Sequence, residues 1–140
     1  MSRPPRDPAT VIARQERERR AAEAMSPKAR ASLDYIVGLV TDDCRVARAD
    51  VFSPRRGIGA ISEARQLAMY LAHHYAQPGP DDTISSLLPG YFNRDRATVA
   101  WAVKTVNLRL TWDKKFQRRV AKLSDMIRQA YAINAVSELP

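Results

Sequence analysis

The chain has 140 residues, 45% of them hydrophobic, which suits one core-bearing domain with a tail. A single cysteine, Cys44, excludes an intramolecular disulfide and a cysteine-cluster zinc site; no apolar run approaches a membrane span, and the start MSRPPRDP lacks a signal-peptide hydrophobic region. Lys and Arg number 23 against 15 Asp and Glu, and the net charge of +8 favours a polyanionic partner, nucleic acid before an acidic membrane surface.

The charge is unevenly spread. Residues 1–30 carry +4, residues 31–93 carry −2, and residues 94–128 carry +7. Residues 1–10 are proline-rich and expected to be disordered. Residues 11–30, VIARQERERRAAEAMSPKAR, favour helix but lack a sustained apolar stripe. They read either as a solvated, fraying helix broken at Pro27 or as an arm that orders on DNA or a partner. Leu33, Ile36, Val37 and Val40 form a one-sided stripe that predicts an amphipathic helix over 32–41. Cys44 to Val51 is either a connection or a second short helix. Ser53 to Ala60, SPRRGIGA, is a loop with two arginines and two glycines.

Ile61 to Tyr75 is the clearest long helix, with Ile61, Ala64, Leu67, Ala68, Leu71, Ala72 and Tyr75 at helical spacing and Ser62 or a neighbour as cap. Pro78-Gly79-Pro80, within 77–81, ends it. Asp82 is placed to cap a short helix over 83–88, followed by a turn at Pro89-Gly90. Asn93 is placed to cap a helix over 94–110 whose apolar positions Val99, Val103, Val106 and Leu110 recur at helical spacing. Its opposite face carries Ala97, Trp101, Lys104 and Leu108. The first turn is basic, with Arg94 near the outward face and Arg96 on its flank. A last helix over 112–132 turns Phe116, Val120, Leu123 and Ile127 inward. The expected fold class is all-α with five or six helices. A flexible arm over 1–30, a DNA-binding domain over 31–132 and a tail over 133–140 complete the organisation. Helix, tight turn and basic-ended helix make a helix-turn-helix, whose second helix enters a DNA major groove.

Three of these segments resemble one family. ARQLAMYLAHHY at 64–75 is similar to the long helix of the C-terminal DNA-binding domain of DnaA, the bacterial chromosomal replication initiator. RDRATVAWAVKTV at 94–106 is similar to that domain's signature, an Arg-Asp-His-Thr-Thr-Val run leading into an apolar helix. ADVFSPRRG at 49–57 resembles its basic loop. The resemblance covers about residues 32–128 and implies a DnaA C-terminal, Trp-repressor-like helix-turn-helix fold. No phosphate-binding loop is present and the length leaves no room for an ATPase module. The departures fall on base-reading positions: Arg96 where the family usually has His, Ala97 where it has Thr, and Trp101 where it often has His. Thr98 is retained, and Phe92-Asn93 replaces a Gly-Gly.

The resemblance implies a minor-groove role for Arg56, with Arg55 beside it, and phosphate contacts for Arg65 and Gln66. Arg94, Arg96 and Thr98 occupy the first turn of the proposed recognition helix, where backbone N–H groups attract phosphate and an arginine can bind guanine in bidentate fashion. Asp95 suits a helix N-terminus better than base reading. Ala97 replaces a base reader, Trp101 faces either a groove or a core, and Lys104 and Thr105 read as backbone contacts. Lys114, Lys115, Arg118 and Arg119 form either a solvated face or a second phosphate patch. His73 and His74 are adjacent and diverge by about 100° on a helix, which does not suit a shared metal. No enzymatic constellation, cofactor or metal is expected. The partner expected is double-stranded DNA, with a transcription or replication protein as a further one and no membrane. The expected function is a bacterial or phage transcriptional regulator, soluble, cytoplasmic and nucleoid-associated. The alternatives are a replication-control protein that occupies initiator sites, or a protein-interaction module that keeps the fold.

Overall fold

In the computed structural model, which describes residues 7–80 and 82–137, every regular element is a helix. They are α1 (Pro8–Glu23), α2 (Pro27–Cys44), α3 (Arg48–Phe52), α4 (Ala60–Tyr75), α5 (Ile84–Phe92), α6 (Arg96–Leu110) and α7 (Lys114–Ser137). Residues 1–6 of the expected arm, Asp81, and residues 138–140 of the expected tail lie outside the described residues. Seven helices replace the expected five or six, because the arm and the segment after Cys44 each form one.

α4 is the central helix and packs against α2, α3, α5, α6 and α7. Its predicted stripe is the reason: Ala64, Leu67, Ala68, Leu71 and Ala72 are buried, joined by Met69. α2 adds Leu33, Ile36, Val37 and Val40, and α7 adds Phe116, Val120, Leu123 and Ile127, all buried as their spacing predicts. Polar ties lock the far side. Glu63 on α4 accepts from Arg109 at 3.2 Å and Arg119 at 2.9 Å, and Arg119 also donates to Asp43 at 2.5 Å. That hydrogen bond to Asp43 raises the Arg119 pKa above its ordinary value. The four side chains join α2, α4, α6 and α7.

Several expected boundaries move, each for a local reason. From Pro8 on, the arm is a helix packed on α5, so the domain boundary at residue 30 falls inside α2. Pro27 does not break a helix but begins one: it is the first residue of α2, where its missing N–H costs nothing, and Ser26 Oγ accepts from the Ala29 N–H at 3.1 Å. Asp82 does not cap α5. Its carboxylate accepts from the Ser26 N–H, the Ser26 hydroxyl and the Gly79 N–H at 3.2, 2.7 and 3.1 Å, clasping the α4–α5 loop to the start of α2. Gly79 is required there, since a Cβ would meet Ser26 Oγ at 2.2 Å. Ser62 does not cap α4; that helix follows Gly59, whose φ of 58° suits glycine. α7 runs on through residue 137, beyond the expected tail boundary.

The largest revision falls on the turn. Pro89 and Gly90 lie inside α5, which continues to Phe92. Asn93 caps no helix start; with φ 55° it ends α5, and the bonds Asn93 N–H to Gly90 C=O and Arg94 N–H to Pro89 C=O complete a Schellman closure. α6 then starts at Arg96, capped by Asp95, whose carboxylate accepts from the Thr98 N–H at 2.7 Å. The turn is therefore three residues, Asn93-Arg94-Asp95, between two packed helices. That is the length of a helix-turn-helix connection.

Candidate nucleic-acid interface

α6 buries Val99, Ala102 and Val106 against α4 and leaves a wide arc exposed. Helical phase puts Ala97, Lys104 and Leu108 at its middle. Thr98 and Trp101 lie on one edge; Arg96, Ala100 and Asn107 lie on the other. Val103, expected inward, is half-buried. Trp101 is 63% exposed, so its indole is not core. Leu108 and, just past the helix, Trp112 are equally open.

The edge carrying Thr98 and Trp101 faces the basic loop. Arg55, Arg56, Arg65, Gln66, Arg94, Thr98 and Trp101 line one open groove of about 280 Å³. The fold thus brings together seven of the twelve residues singled out from the sequence. Their guanidinium groups do different things. Arg55 and Arg56 are exposed at the loop tip. Arg65 turns inward: its Nε and Nη2 donate to the Asp50 carbonyl at 2.8 and 2.6 Å, and Nη2 also donates to the Ser53 carbonyl at 3.2 Å. Gly57 leaves space for this, because a Cβ there would lie 2.6 Å from Arg65 Nη1. Arg94, from the turn, also donates to the Ser53 carbonyl and to its neighbour Asn93 C=O. Two arginines therefore converge on one carbonyl at the root of the basic loop. Burial, then the charge of Arg65, lowers the Arg94 pKa from its ordinary value. In this structure both hold the loop, a role that sequence spacing did not suggest.

The other edge is separate. Arg96 and Lys104 line a second groove of about 530 Å³ with Val99, Ala100, Val103 and Asn107, facing α5 and the end of α4. Arg96 Nη2 stands 3.5 Å from Glu18 Oε1 on α1. Sequence reading missed Glu18, since one of two glutamates in the charge-rich run RQERERR carries no sign of a partner far along the chain. Thr105 is half-buried and Ala97 exposed. On α7, Lys114, Lys115 and Arg118 are exposed, while Arg119 is committed to Asp43 and Glu63 and leaves the surface patch.

Among the described residues no three His, Cys, Asp or Glu side chains converge as metal ligands. Cys44 is half-buried beside Arg119, and burial pushes its thiol above its ordinary pKa. Among the described residues no helix is long and apolar enough to cross a membrane.

No family model matches the chain. Two curated proteins do. A stretch of 69 residues, 49% of this chain, is 38% identical to the chromosomal replication initiator protein DnaA of Bacteroides thetaiotaomicron and covers 14% of it. A stretch of 93 residues, 66% of this chain, is 32% identical to the DnaA of Flavobacterium psychrophilum and covers 18% of it. Part of this all-helical chain is thus homologous to part of DnaA, and the match spans under a fifth of either relative's length.

Proposed function

We propose that this chain, homologous in part to the DnaA initiators, binds double-stranded DNA sequence-specifically and acts as a transcriptional regulator. α6 enters the major groove, and the loop carrying Arg55 and Arg56 reaches the adjacent minor groove, whose negative potential favours arginine. The observation that carries this reading is the exposed arc of α6 set beside the basic loop. Trp101 stays in solvent, Arg96 and Lys104 project from the same helix, and α6 begins at a three-residue turn after α5. Backbone N–H groups at the start of α6 add an attraction for phosphate. Thr98 and Lys104 then serve as flanking contacts, with Gln66 and Thr105 at the margins. Arg65 and Arg94 contribute by holding the loop root rather than by touching DNA.

A second reading has its own support: both relatives are chromosomal replication initiators, which favours a replication-control protein that occupies initiator sites. One selection separates the two. Duplexes with a random core are incubated with the full chain, and bound sequences are recovered and read. A single enriched motif distinct from the usual DnaA box is expected, because Arg96, Ala97 and Trp101 replace the His, Thr and His usual in the family on the reading surface. Enrichment of that box itself would favour the replication reading. No enrichment over the input would overturn sequence-specific binding altogether.

A further inference from the structure

α1 packs against α5, the first helix of the helix-turn-helix. The approach is close: a Cβ on Gly90 would lie 2.3 Å from the Glu18 backbone carbonyl and 2.7 Å from Ala22 Cβ. Glycine at 90 therefore lets α1 lie directly on α5 and carries Glu18 to the start of α6. The Glu18 side chain is only 10% exposed, and its Oε1 has no hydrogen-bond partner. Among the described residues the cation within ion-pair reach of it is Arg96, at 3.5 Å, with a side chain 65% exposed. A carboxylate taken out of water needs a compensating charge. Arg96 supplies it through one nitrogen, and its exposed side chain has further donors to offer a ligand.

We infer that Glu18 is a positioning residue: it holds the Arg96 guanidinium against α6 so that its further donors meet a pair of acceptors on a base, of the kind guanine presents in the major groove. The inference rests on the DNA-binding reading above and deepens it. An arginine on an exposed helix end samples many rotamers, and freezing one on binding opposes recognition. A buried carboxylate that already restrains the side chain removes part of that cost. It also discriminates, because a misplaced guanidinium leaves Glu18 uncompensated. The region that reads DNA then extends to α1, far from the recognition helix in sequence.

The test uses the full chain and two duplexes, the selected motif and its scrambled counterpart, titrated at one salt concentration. Glu18→Gln keeps the shape and removes the charge. The ratio of specific to scrambled affinity should fall about 3- to 10-fold, with affinity for the scrambled duplex unchanged or slightly raised. Arg96→Ala should lower the ratio by about 10- to 100-fold. Adding Glu18→Gln to Arg96→Ala should lower it no further, a coupling that a purely structural role would not give. Should Glu18→Gln fail to fold, Glu18→Asp draws the carboxylate back by one methylene and should lower the ratio part way. An unchanged or raised ratio in the glutamate variants overturns the positioning role, as does an equal loss on both duplexes whether or not Arg96 is present. If Arg96→Ala itself leaves the ratio unchanged, the base-reading role of Arg96 fails and takes this inference with it. A chain that prefers no duplex overturns the DNA reading as a whole.

Discussion

Asp95 closes the α5–α6 turn with one carboxylate. Its hydrogen bonds with Thr98 hold its pKa below the ordinary carboxylate value. A pKa lower in the folded chain than in the unfolded one adds stability above the unfolded pKa, and that stability is lost as pH falls through the folded pKa. Asp95→Ala should therefore cost about 1 kcal/mol at pH 7. The gap from the parent should narrow below about pH 4, while Asp95→Asn should keep most of the cap. Thermal melts of the three proteins at pH 7 and at about pH 3 check this; a gap independent of pH would remove the charge from the account. Asp82 and Asp113 are lowered by hydrogen bonds too, so only the difference between variant and parent isolates Asp95. At this scale the sequence was half legible. Arg55 and Arg56 are exposed, as a polar loop predicts, and Trp101, which the sequence left open between a groove and a core, is exposed on its outward helical phase. Arg65 and Arg94 were expected at DNA, and a sequence does not show that each guanidinium also meets a carbonyl. Their acceptors, the carbonyls of Asp50 and Ser53, reach them only through the tertiary fold.

The pairing of α1 with α5 depends on what Gly90 lacks. In a helix interior glycine is about 1 kcal/mol worse than alanine. Against α1 that preference is overridden by the clash with the Glu18 carbonyl. Gly90→Ala should thus destabilise the full chain, with a Tm drop of several degrees. In a chain lacking residues 1–24 the same substitution should stabilise, by roughly 0.5–1 kcal/mol. Calorimetry on the four proteins reads the sign directly, and stabilisation in both backgrounds would mean that α1 does not rest on Gly90. Helices α2, α4 and α7 were legible because each buries a stripe of large apolar residues. α1 was not, because what it buries is Ala22 and the polar Glu18. Small-residue docking leaves no hydrophobic period. α5 was cut short for a related reason: Pro-Gly signals a turn locally, yet here both residues are packed within a helix.

For the whole molecule, the count of 23 Lys and Arg overstates how many cations are free to meet a polyanion. Arg48, Arg109 and Arg119 pair with Asp34, Glu63, Asp113 and Asp43, and Arg65 and Arg94 are spent on loop carbonyls. Near the proposed interface the exposed cations include Arg55, Arg56 and Lys104, with Arg96 keeping donors beyond its pairing with Glu18. Each neutralised phosphate contributes a slope of about −0.9 in log K against log salt. The selected duplex should therefore give a slope of roughly −3 to −5, measured by titration across a salt series. A slope near zero would point to the apolar surface of Trp101, Leu108 and Trp112 as a protein contact instead. The overall charge points to the proposed class of partner, and the ion-pair pattern, invisible in composition, bounds the number of contacts that proposal allows.

The double anchor on the Ser53 carbonyl has a geometric meaning of its own. Arg56 stands three residues beyond a fixed point, so its Cα travels no more than about 10 Å from that point even in a fully extended chain. A loop rooted in this way acts as a ruler. If it reads one groove while α6 reads the next, the two half-readings have a single permitted separation along the duplex. A target with base pairs inserted between them is then not a weaker site but two unrelated halves.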